Sequence, residues 1–271
     1  MIRFVAVGDL MVDVTASGKG HSARISTVPG GSALNAATWA AELGADATAV
    51  GRIGEDAAGR LLLSELALRG VRAEVSVDPE ASTGTVLVVD GEIRADRGAN
   101  ARFAAEHLPG LEADAVLVSG HLPPATVAAA LAQASAPWVA LDAARLTSIP
   151  QEASVVLANE AAALRLTGEP AEAAAHVLAR GRCLACVTLG ARGAVAVRDG
   201  RVERASPETN APEDAFGAGD AFAAALLVAL ARGDRLEDAL AAACRCGADA
   251  AAGHMPSSDL RWLFGSSRTP G

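Results

Sequence analysis

The sequence predicts an α/β fold with a doubly wound, mostly parallel sheet, and three observations lead to it. Short apolar strands alternate with helical segments from Ala115 to Leu189, which is the rhythm of strand–helix–strand units. Of the 271 residues, 51% are hydrophobic and only 3% are aromatic, so small aliphatic side chains are expected to fill the core between close-packed helices. Because no repeat or linker divides the chain, we expect a single domain over residues 1–271.

The charge and the cysteines exclude several classes of protein. The formal net charge is −9 at pH 7 and is spread without blocks, which argues against nucleic acid and against an anionic membrane as partners. No apolar stretch reaches membrane-spanning length and no leader precedes the strand at Ile2, so we expect a cytoplasmic protein. Cys183 and Cys186 lie in an apolar strand, and Cys244 and Cys246 in a helix, as buried free thiols do.

The first candidate ligand groups follow the first strand. Asp13 lies just beyond its carboxyl end, where open α/β sheets hold their ligands. After a polar segment over 16–28, Gly30 and Gly31 open a helix that carries Asn35 one turn in. Paired glycines let a ligand approach the backbone, and an asparagine amide can reach a hydroxyl. The alternative is a tight turn followed by a buried asparagine.

A second strand and helix occupy residues 47–70, and Asp56 is expected to cap the helix. The segment over 71–95 reads as strands of period two and predicts a small separate sheet. Arg97 follows where the chain re-enters the main body. It is either a partner for an anionic part of a substrate or an ordinary surface arginine.

Two later strands end in groups that can face a nucleotide. Asn159 follows the strand over 155–157, where a sheet presents side chains to a ligand, but it is equally placed to cap the next helix. Thr188 ends another strand, and Gly190 and Gly193 come after it. Glycines in this place are typical of a loop that lies against a nucleotide.

The stretch from Asn210 to Asp220 leads from a loop into a long apolar helix and ends in Gly217, Ala218, Gly219 and Asp220. The unpaired N–H groups at a helix start, together with its dipole, favour an anion. Asp220 adds a carboxylate that can take a proton from an attacking hydroxyl. This combination is typical of a kinase. The alternative is a helix cap with turn-forming glycines.

Taken in order, these motifs resemble the PfkB, or ribokinase-like, family of sugar kinases. The resemblance covers nearly the whole chain and rests on Asp13, 30–35, 51–56 with Gly59, Asn159 with Glu160, 188–190 with Gly193, and 214–220. It implies a three-layer α/β domain with a small β lid, here the segments 16–28 and 71–95, that closes over a sugar-like substrate.

The resemblance also implies roles for the candidate residues. Asp220 is the general base, and the amides of Gly217, Ala218 and Gly219 form the anion hole for the transferring γ-phosphoryl group. The candidates for the substrate site are Asp13, Gly30, Gly31, Asn35 and Arg97. Of these, Arg97 is a candidate because of its position in the chain and not because of the resemblance. Those around ATP and Mg²⁺ are Asn159, Thr188, Gly190 and Gly193. Those for the metal itself are Glu160 and Asp214. The expected reaction phosphorylates a hydroxyl group of a sugar or sugar acid. We expect this hydroxyl to be a primary one.

Departures from the family pattern bear on the cations. Ala215 and Phe216 stand where the family usually has a threonine-containing pair, which removes a hydroxyl often associated with a monovalent cation. Activation by potassium is therefore not expected, although Asp214 remains. Ala162 replaces a family glutamate, which leaves open how Mg²⁺ is held.

Three alternatives stand beside this interpretation. A nucleoside kinase needs aromatic residues to stack on a base, and the chain has three Trp, five Phe and no Tyr, which favours a sugar. A non-catalytic sensor of the same fold is suggested only by Ala162 and Ala215, and Asp220 argues against it. The third alternative is a Rossmann dehydrogenase, but this chain has no Gly-x-Gly-x-x-Gly after its first strand. Whether the lids of two chains pair in a homodimer is left open.

Overall fold

A large β-sheet forms the centre of the computed structural model, which describes residues 1–89, 92–207 and 217–253. In chain order the strands are β1 (Arg3–Val7), β2 (Met11–Ser17), β3 (Arg24–Gly30), β4 (Asp46–Gly54), β5 (Arg72–Asp78), β6 (Gly84–Val89), β7 (Glu92–Asp96), β8 (Ala115–Ser119), β9 (Trp138–Asp142), β10 (Val155–Asn159), β11 (Leu184–Thr188), β12 (Ala194–Arg198) and β13 (Arg201–Ala205). The α-helices are α1 (Ser32–Glu42), α2 (Ala57–Leu68), α3 (Pro124–Gln133), α4 (Glu160–Thr167), α5 (Ala171–Leu178), α6 (Ala218–Arg232) and α7 (Leu236–Ala251).

The large sheet has nine strands in the order β13-β12-β11-β10-β9-β8-β1-β4-β5. Its neighbours run parallel from β11 to β5, whereas β12 and β13 are antiparallel additions at one edge. The chain proceeds outward from β1 to β5 and then returns to the other side of β1 with β8. The switch point between β1 and β8 is where open α/β sheets leave a crevice at the carboxyl ends of the strands. The predicted doubly wound, mostly parallel sheet is therefore confirmed.

Helices cover both faces of this sheet. Phe4 and Ala6 of β1 belong to one buried cluster with α1, α2, α6 and α7, while Val5 and Val7 belong to a second cluster with α3, α4 and α5. Successive side chains of a strand point to opposite faces, so each parallel strand supplies both cores. Helix α6 is buried along its whole middle, from Ala221 to Leu230, as an all-apolar helix should be. The three-layer arrangement that the resemblance implied is confirmed.

A smaller sheet lies beside the carboxyl edge of the large one. Its four strands have the order β3-β2-β6-β7, so it contains 11–17 and 24–30 rather than only the predicted 16–28. The prediction that 71–95 belongs entirely to this sheet is wrong, because β5 pairs parallel with β4 in the large sheet. Helix α2 returns the chain so that β5 lies alongside β4, as in βαβ units. An edge strand such as β5 and a lid strand have the same period-two pattern, so the sequence does not distinguish them.

The predicted cap of α2 is confirmed and has a second use. The Asp56 carboxylate accepts a hydrogen bond from Gly59 N at 2.8 Å, and it also accepts from Thr83 N at 2.7 Å and from Thr83 Oγ1 at 2.6 Å. One carboxylate therefore fixes both the start of α2 and the approach to β6. Across the described ranges, no helix combines the length and the apolar character that a membrane span requires.

Candidate active site

The polar groups of the site stand at the carboxyl ends of adjacent strands. Ser119 at the end of β8 lies opposite Asp142 at the end of β9, and Asn159 at the end of β10 lies opposite Thr188 at the end of β11. Asp9 follows β1 at the same edge. The register of the sheet thus separates two groups of polar residues, one around β1, β8 and β9 and the other around β10 and β11.

Asp220 lies in the first turn of α6, next to the first group. Its Oδ2 accepts a hydrogen bond from Asn35 Nδ2 at 2.9 Å, because α1 packs against α6. The cap of α6 is Gly217, at φ 81°, and no side chain among the described residues caps the helix. The alternative that Asp220 is only a helix cap is therefore wrong. Asp220 instead lines a small pocket with Ser32, Ser119 and Asp142.

The surroundings of Asp220 favour its protonated form. Burial is the largest influence, and together with the negative charges of nearby carboxylates it raises the pKa from 3.8 to about 7, against the opposing effect of the Asn35 hydrogen bond. Those carboxylates, in decreasing order of influence, are Asp142, Asp9 and Asp13. A carboxyl group with this pKa can both accept and release a proton near neutral pH.

Three of the predicted substrate residues come together around Asp9. A Cβ on Gly30 would lie 2.5 Å from Asp13 Oδ2, and a Cβ on Gly31 would overlap the Asp9 carbonyl oxygen. Gly31 also has φ 97°, a conformation that other residues rarely adopt. The paired glycines therefore let the chain pass close to two carboxylate-bearing segments. Burial raises the pKa of Asp13.

Arg97 is part of the protein's own charge network. Its Nη2 lies 2.6 Å from Asp9 Oδ1, and its Nη1 donates a hydrogen bond to the carbonyl oxygen of His121. The buried side chain of Asn100 fixes this turn, since it accepts from Leu10 N at 3.0 Å and donates to Leu10 O at 2.9 Å. The Arg97 side chain is 34% exposed, and its guanidinium already has a carboxylate partner.

The predicted nucleotide residues are neighbours, but two of them have structural duties. Asn159 Oδ1 accepts from Ala162 N at 2.8 Å and caps α4, so the capping alternative is confirmed. A Cβ on Gly193 would overlap the Ala205 carbonyl oxygen, whereas one on Gly190 would have no atom of the described residues within 4 Å. Gly190 thus leaves open space beside Thr188, and Gly193 allows β12 and β13 to approach this loop.

Of the two metal candidates, the structure describes only Glu160. Glu160 is exposed, and its Oε2 lies 2.5 Å from Arg192 Nη2, while Asp214 lies outside the described residues. Within the described ranges, no group of three or more His, Cys, Asp or Glu side chains could hold a metal ion. Among these residues the structure therefore identifies no metal ligand.

Several residues of the pocket belong to none of the motifs that the sequence analysis identified. Ser32, Ser119 and Asp142 line it with Asp220, and His121 affects the charge of Asp142. The one available signal is a polar residue at the end of an apolar strand, which Ser119 and Asp142 both provide. Their joint position depends on the pairing of β8 with β9.

Comparison with known proteins agrees with this geometry. Residues 1–261 match the pfkB family of carbohydrate kinases. A ribokinase of Bacillus subtilis (strain 168) is 32% identical over 231 residues, which cover 79% of this chain and 78% of the relative. A ribokinase structure from Thermotoga maritima has a TM-score of 0.83 at 22% identity, with 97% of this chain and 99% of that chain covered. It supports the fold alone.

A second solved structure carries ligands. A fructokinase from Vibrio cholerae O395, bound to fructose, ADP and a calcium ion, has a TM-score of 0.81 at 25% identity and covers 97% of this chain and 99% of that chain. Both the sequence match over almost the whole chain and the shared fold point the same way. The chain belongs to the pfkB family of carbohydrate kinases and is an ATP-dependent sugar kinase.

Proposed function

We propose that the chain transfers the γ-phosphoryl group of ATP to a hydroxyl of a free, uncharged sugar, with Asp220 as general base. The observation that carries the proposal is the position of Asp220. It lies at the start of α6, is held by Asn35 at 2.9 Å, and has a pKa raised to about 7. A base of this pKa is half ionised near neutral pH, so it can accept a proton and return it afterwards.

In the proposed step, one bond to the γ-phosphorus forms while another breaks. The sugar hydroxyl gives its proton to the Asp220 carboxylate while its oxygen forms a bond to the γ-phosphorus, and the bond from that phosphorus to the bridging oxygen of ADP breaks. The first N–H groups of α6 have no helical partners and bear the positive end of the dipole. Among the residues that the structure describes, none has an atom within 4 Å of a Cβ placed on Gly219, which supports the proposal that a phosphoryl group lies beside Gly217, Ala218 and Gly219.

The sugar specificity is proposed from the polar groups near Asp220. Asp13 offers carboxylate oxygens, and Asn35 offers an amide, which are partners for hydroxyl groups. Arg97 is the positive side chain that bonds into this region, and it is paired with Asp9 at 2.6 Å. We therefore favour an uncharged sugar over the sugar acid or phosphosugar that an unpaired arginine would attract. A primary hydroxyl as acceptor stays a prediction.

The nucleotide is proposed to lie over β10 and β11, beside Thr188 and the open space at Gly190. Membership of the family implies ATP and a divalent metal. Because Glu160 is paired with Arg192, we infer that the phosphates and water supply most of the metal's ligands, as is common for Mg²⁺. A role for Asp214, and the expectation that potassium does not activate, stay predictions.

The small sheet is proposed to act as a lid and to pair with a second copy of the chain. Asp13 of β2 pairs with Val28 of β3. The pair formed by Val88 of β6 and Ile93 of β7 lies beside β2 two residues further along that strand. These side chains share one face, since alternate residues of a strand point the same way. Val28 is 46% exposed and Ile93 is 57% exposed on that face, which leaves apolar area for a partner sheet to cover.

The replacement Asp220→Asn is expected to abolish turnover. The variant should lower kcat by about 10²-fold or more, the usual loss for a general base, while ATP binding persists. In the wild type, kcat should rise with pH through about 7, because the base must be ionised. The measurement is ADP release from Mg·ATP with fructose, ribose and further free sugars, and Asp238→Asn on the exposed start of α7 is the matched control. Activity above a few per cent in Asp220→Asn would exclude the assignment.

The same replacement is expected to stabilise the fold at alkaline pH. The folded protein holds the Asp220 proton up to about pH 7, whereas the unfolded chain releases it near 3.8, so the free energy of unfolding falls as pH rises between these values. The neutral asparagine side chain removes this penalty, and the gain at about pH 8 should be about 1–2 kcal/mol after allowance for solvent screening. Urea unfolding at about pH 5 and pH 8 measures it. A variant that is less stable than wild type at the higher pH contradicts the prediction.

Selectivity against anionic sugars is expected to depend on Asp9. The wild type should prefer an uncharged sugar to the corresponding sugar acid or phosphosugar. The replacement Asp9→Asn should narrow the ratio of their kcat/KM values by about tenfold, because Arg97 loses its carboxylate partner. Adding Arg97→Gln to this variant should restore the ratio. An unchanged ratio in Asp9→Asn would show that Arg97 does not reach the substrate.

The dimer is expected to depend on the apolar face of the small sheet. Ile93→Asp should shift the protein toward the monomer in sedimentation equilibrium, because a charge would be buried in the proposed contact. Leu68→Asp is the matched control, since Leu68 is 81% exposed at the end of α2, outside the small sheet. A wild type that is monomeric at high concentration refutes the proposal.

A further inference from the structure

The pocket behind Asp220 contains a second acidic side chain that the proposed reaction does not use. Asp142, at the end of β9, lines this pocket together with Asp220, Ser32 and Ser119. Its Oδ1 accepts a hydrogen bond from Ala144 N at 3.1 Å, which fixes the side chain at the end of the strand. The carboxyl group of Asp142 is therefore held at a fixed place in the same pocket as the proposed base, and burial raises its pKa.

The chain is built to bring His121 close to Asp142. After β8, Gly120 N donates to the Asp142 carbonyl oxygen at 2.8 Å, and a Cβ on Gly120 would overlap that oxygen. Only a glycine fits there without moving one strand end. His121 N then donates to Ser119 Oγ at 3.3 Å, which folds the loop over the end of β9. The His121 charge acts on Asp142 and favours its ionised form against the effect of burial.

Two acidic groups behind the site each have a basic neighbour. Asp9 is paired with Arg97 at 2.6 Å, and Asp142 lies within the influence of the His121 charge. The pairs are joined, because Arg97 Nη1 donates to the His121 carbonyl oxygen. Arginine keeps its charge at all relevant pH values, whereas an imidazole can gain or lose its charge in the working range of an enzyme.

All groups named above as acting on Asp220 can be placed on their elements. Asp142 comes from β9, Asp13 from β2, Asp9 from the turn after β1, and the Asn35 amide from α1. Among the charged groups, Asp142 has the largest influence on Asp220. Since a like charge nearby disfavours ionisation, removal of the charge on Asp142 should make Asp220 a weaker base that is ionised at lower pH.

We propose that Asp142 is a positioning residue which, with His121 as its counter-charge, sets the pH range over which Asp220 accepts the proton of the sugar hydroxyl. The proposal rests on the proposed function of Asp220. It assigns to Asp142 no contact with the reacting atoms. A structural role alone, as the acceptor for Ala144 N, would leave the pH dependence unchanged when an asparagine keeps that hydrogen bond.

The test is a comparison of Asp142→Asn and His121→Gln with the wild type. Asp142→Asn should lower the pKa of Asp220, and with it the acidic limb of the kcat–pH profile, by about one pH unit. His121→Gln should also shift both downward, by a smaller amount, because Asp142 then holds its own proton more readily and repels the charge on Asp220 less. The pKa is measured in the free protein by ¹³C NMR of the aspartate carboxyls, with Asp220→Asn to identify the resonance. Asp238→Asn should change neither quantity.

Two results would overturn the proposal. One is an Asp220 resonance that titrates at the same pH in Asp142→Asn, in His121→Gln and in the wild type. The other is a shifted titration with an unshifted kcat profile, which would separate the pair from turnover. Failure of the proposed function would give a different result, namely activity that persists in Asp220→Asn. That result would not change the measured titration of Asp220.

Discussion

The site depends on keeping a carboxylate at the start of a buried helix. Asp220 stands where the dipole of α6 favours a negative charge, yet burial raises its pKa to about 7. The Asn35 amide provides a hydrogen bond without adding a charge, so it orients the carboxylate without making it a weak base. This balance requires α1 and α6 to pack closely. Alanines at the buried positions of both helices, such as Ala36, Ala40 and Ala224, make that approach possible.

The surrounding acids explain why the site needs internal cations. Ionised carboxylates removed from water are costly unless they are paired or hydrogen-bonded. Asp9 is 6% exposed and is paired with Arg97. The His121 charge favours the ionised form of Asp142 against the effect of burial. Within the part of the chain that the structure describes, Asp13 and Asp220 have no such cation, and burial raises the pKa of these two groups as it does that of Asp142. The two groups proposed to face the sugar are therefore those that these residues leave uncompensated.

The sequence predicts the layers and the main motifs because these depend on local patterns. Alternating strands and helices indicate the parallel sheet, and Asp56 before α2 indicates a cap that the structure confirms. Prediction fails where neighbours in space are distant along the chain. Strand β5 has the same alternation as a lid strand, and only its pairing with β4 separates the two. Asp142 and His121 form no motif, since they meet through the register of β8 with β9.

Glycine is the residue whose meaning changes most between sequence and structure. Before the fold is known, Gly30 and Gly31 suggest that a ligand approaches the backbone. In the structure their missing side chains make room for Asp13 and for the Asp9 carbonyl, and Gly120 does the same for the Asp142 carbonyl. Each of these glycines therefore brings a carboxylate-bearing segment closer to the others than a side chain would allow. Burial is the main cause of the raised Asp220 pKa, and the crowding of the acids adds to it, so the close backbone contacts contribute to the basicity of the site.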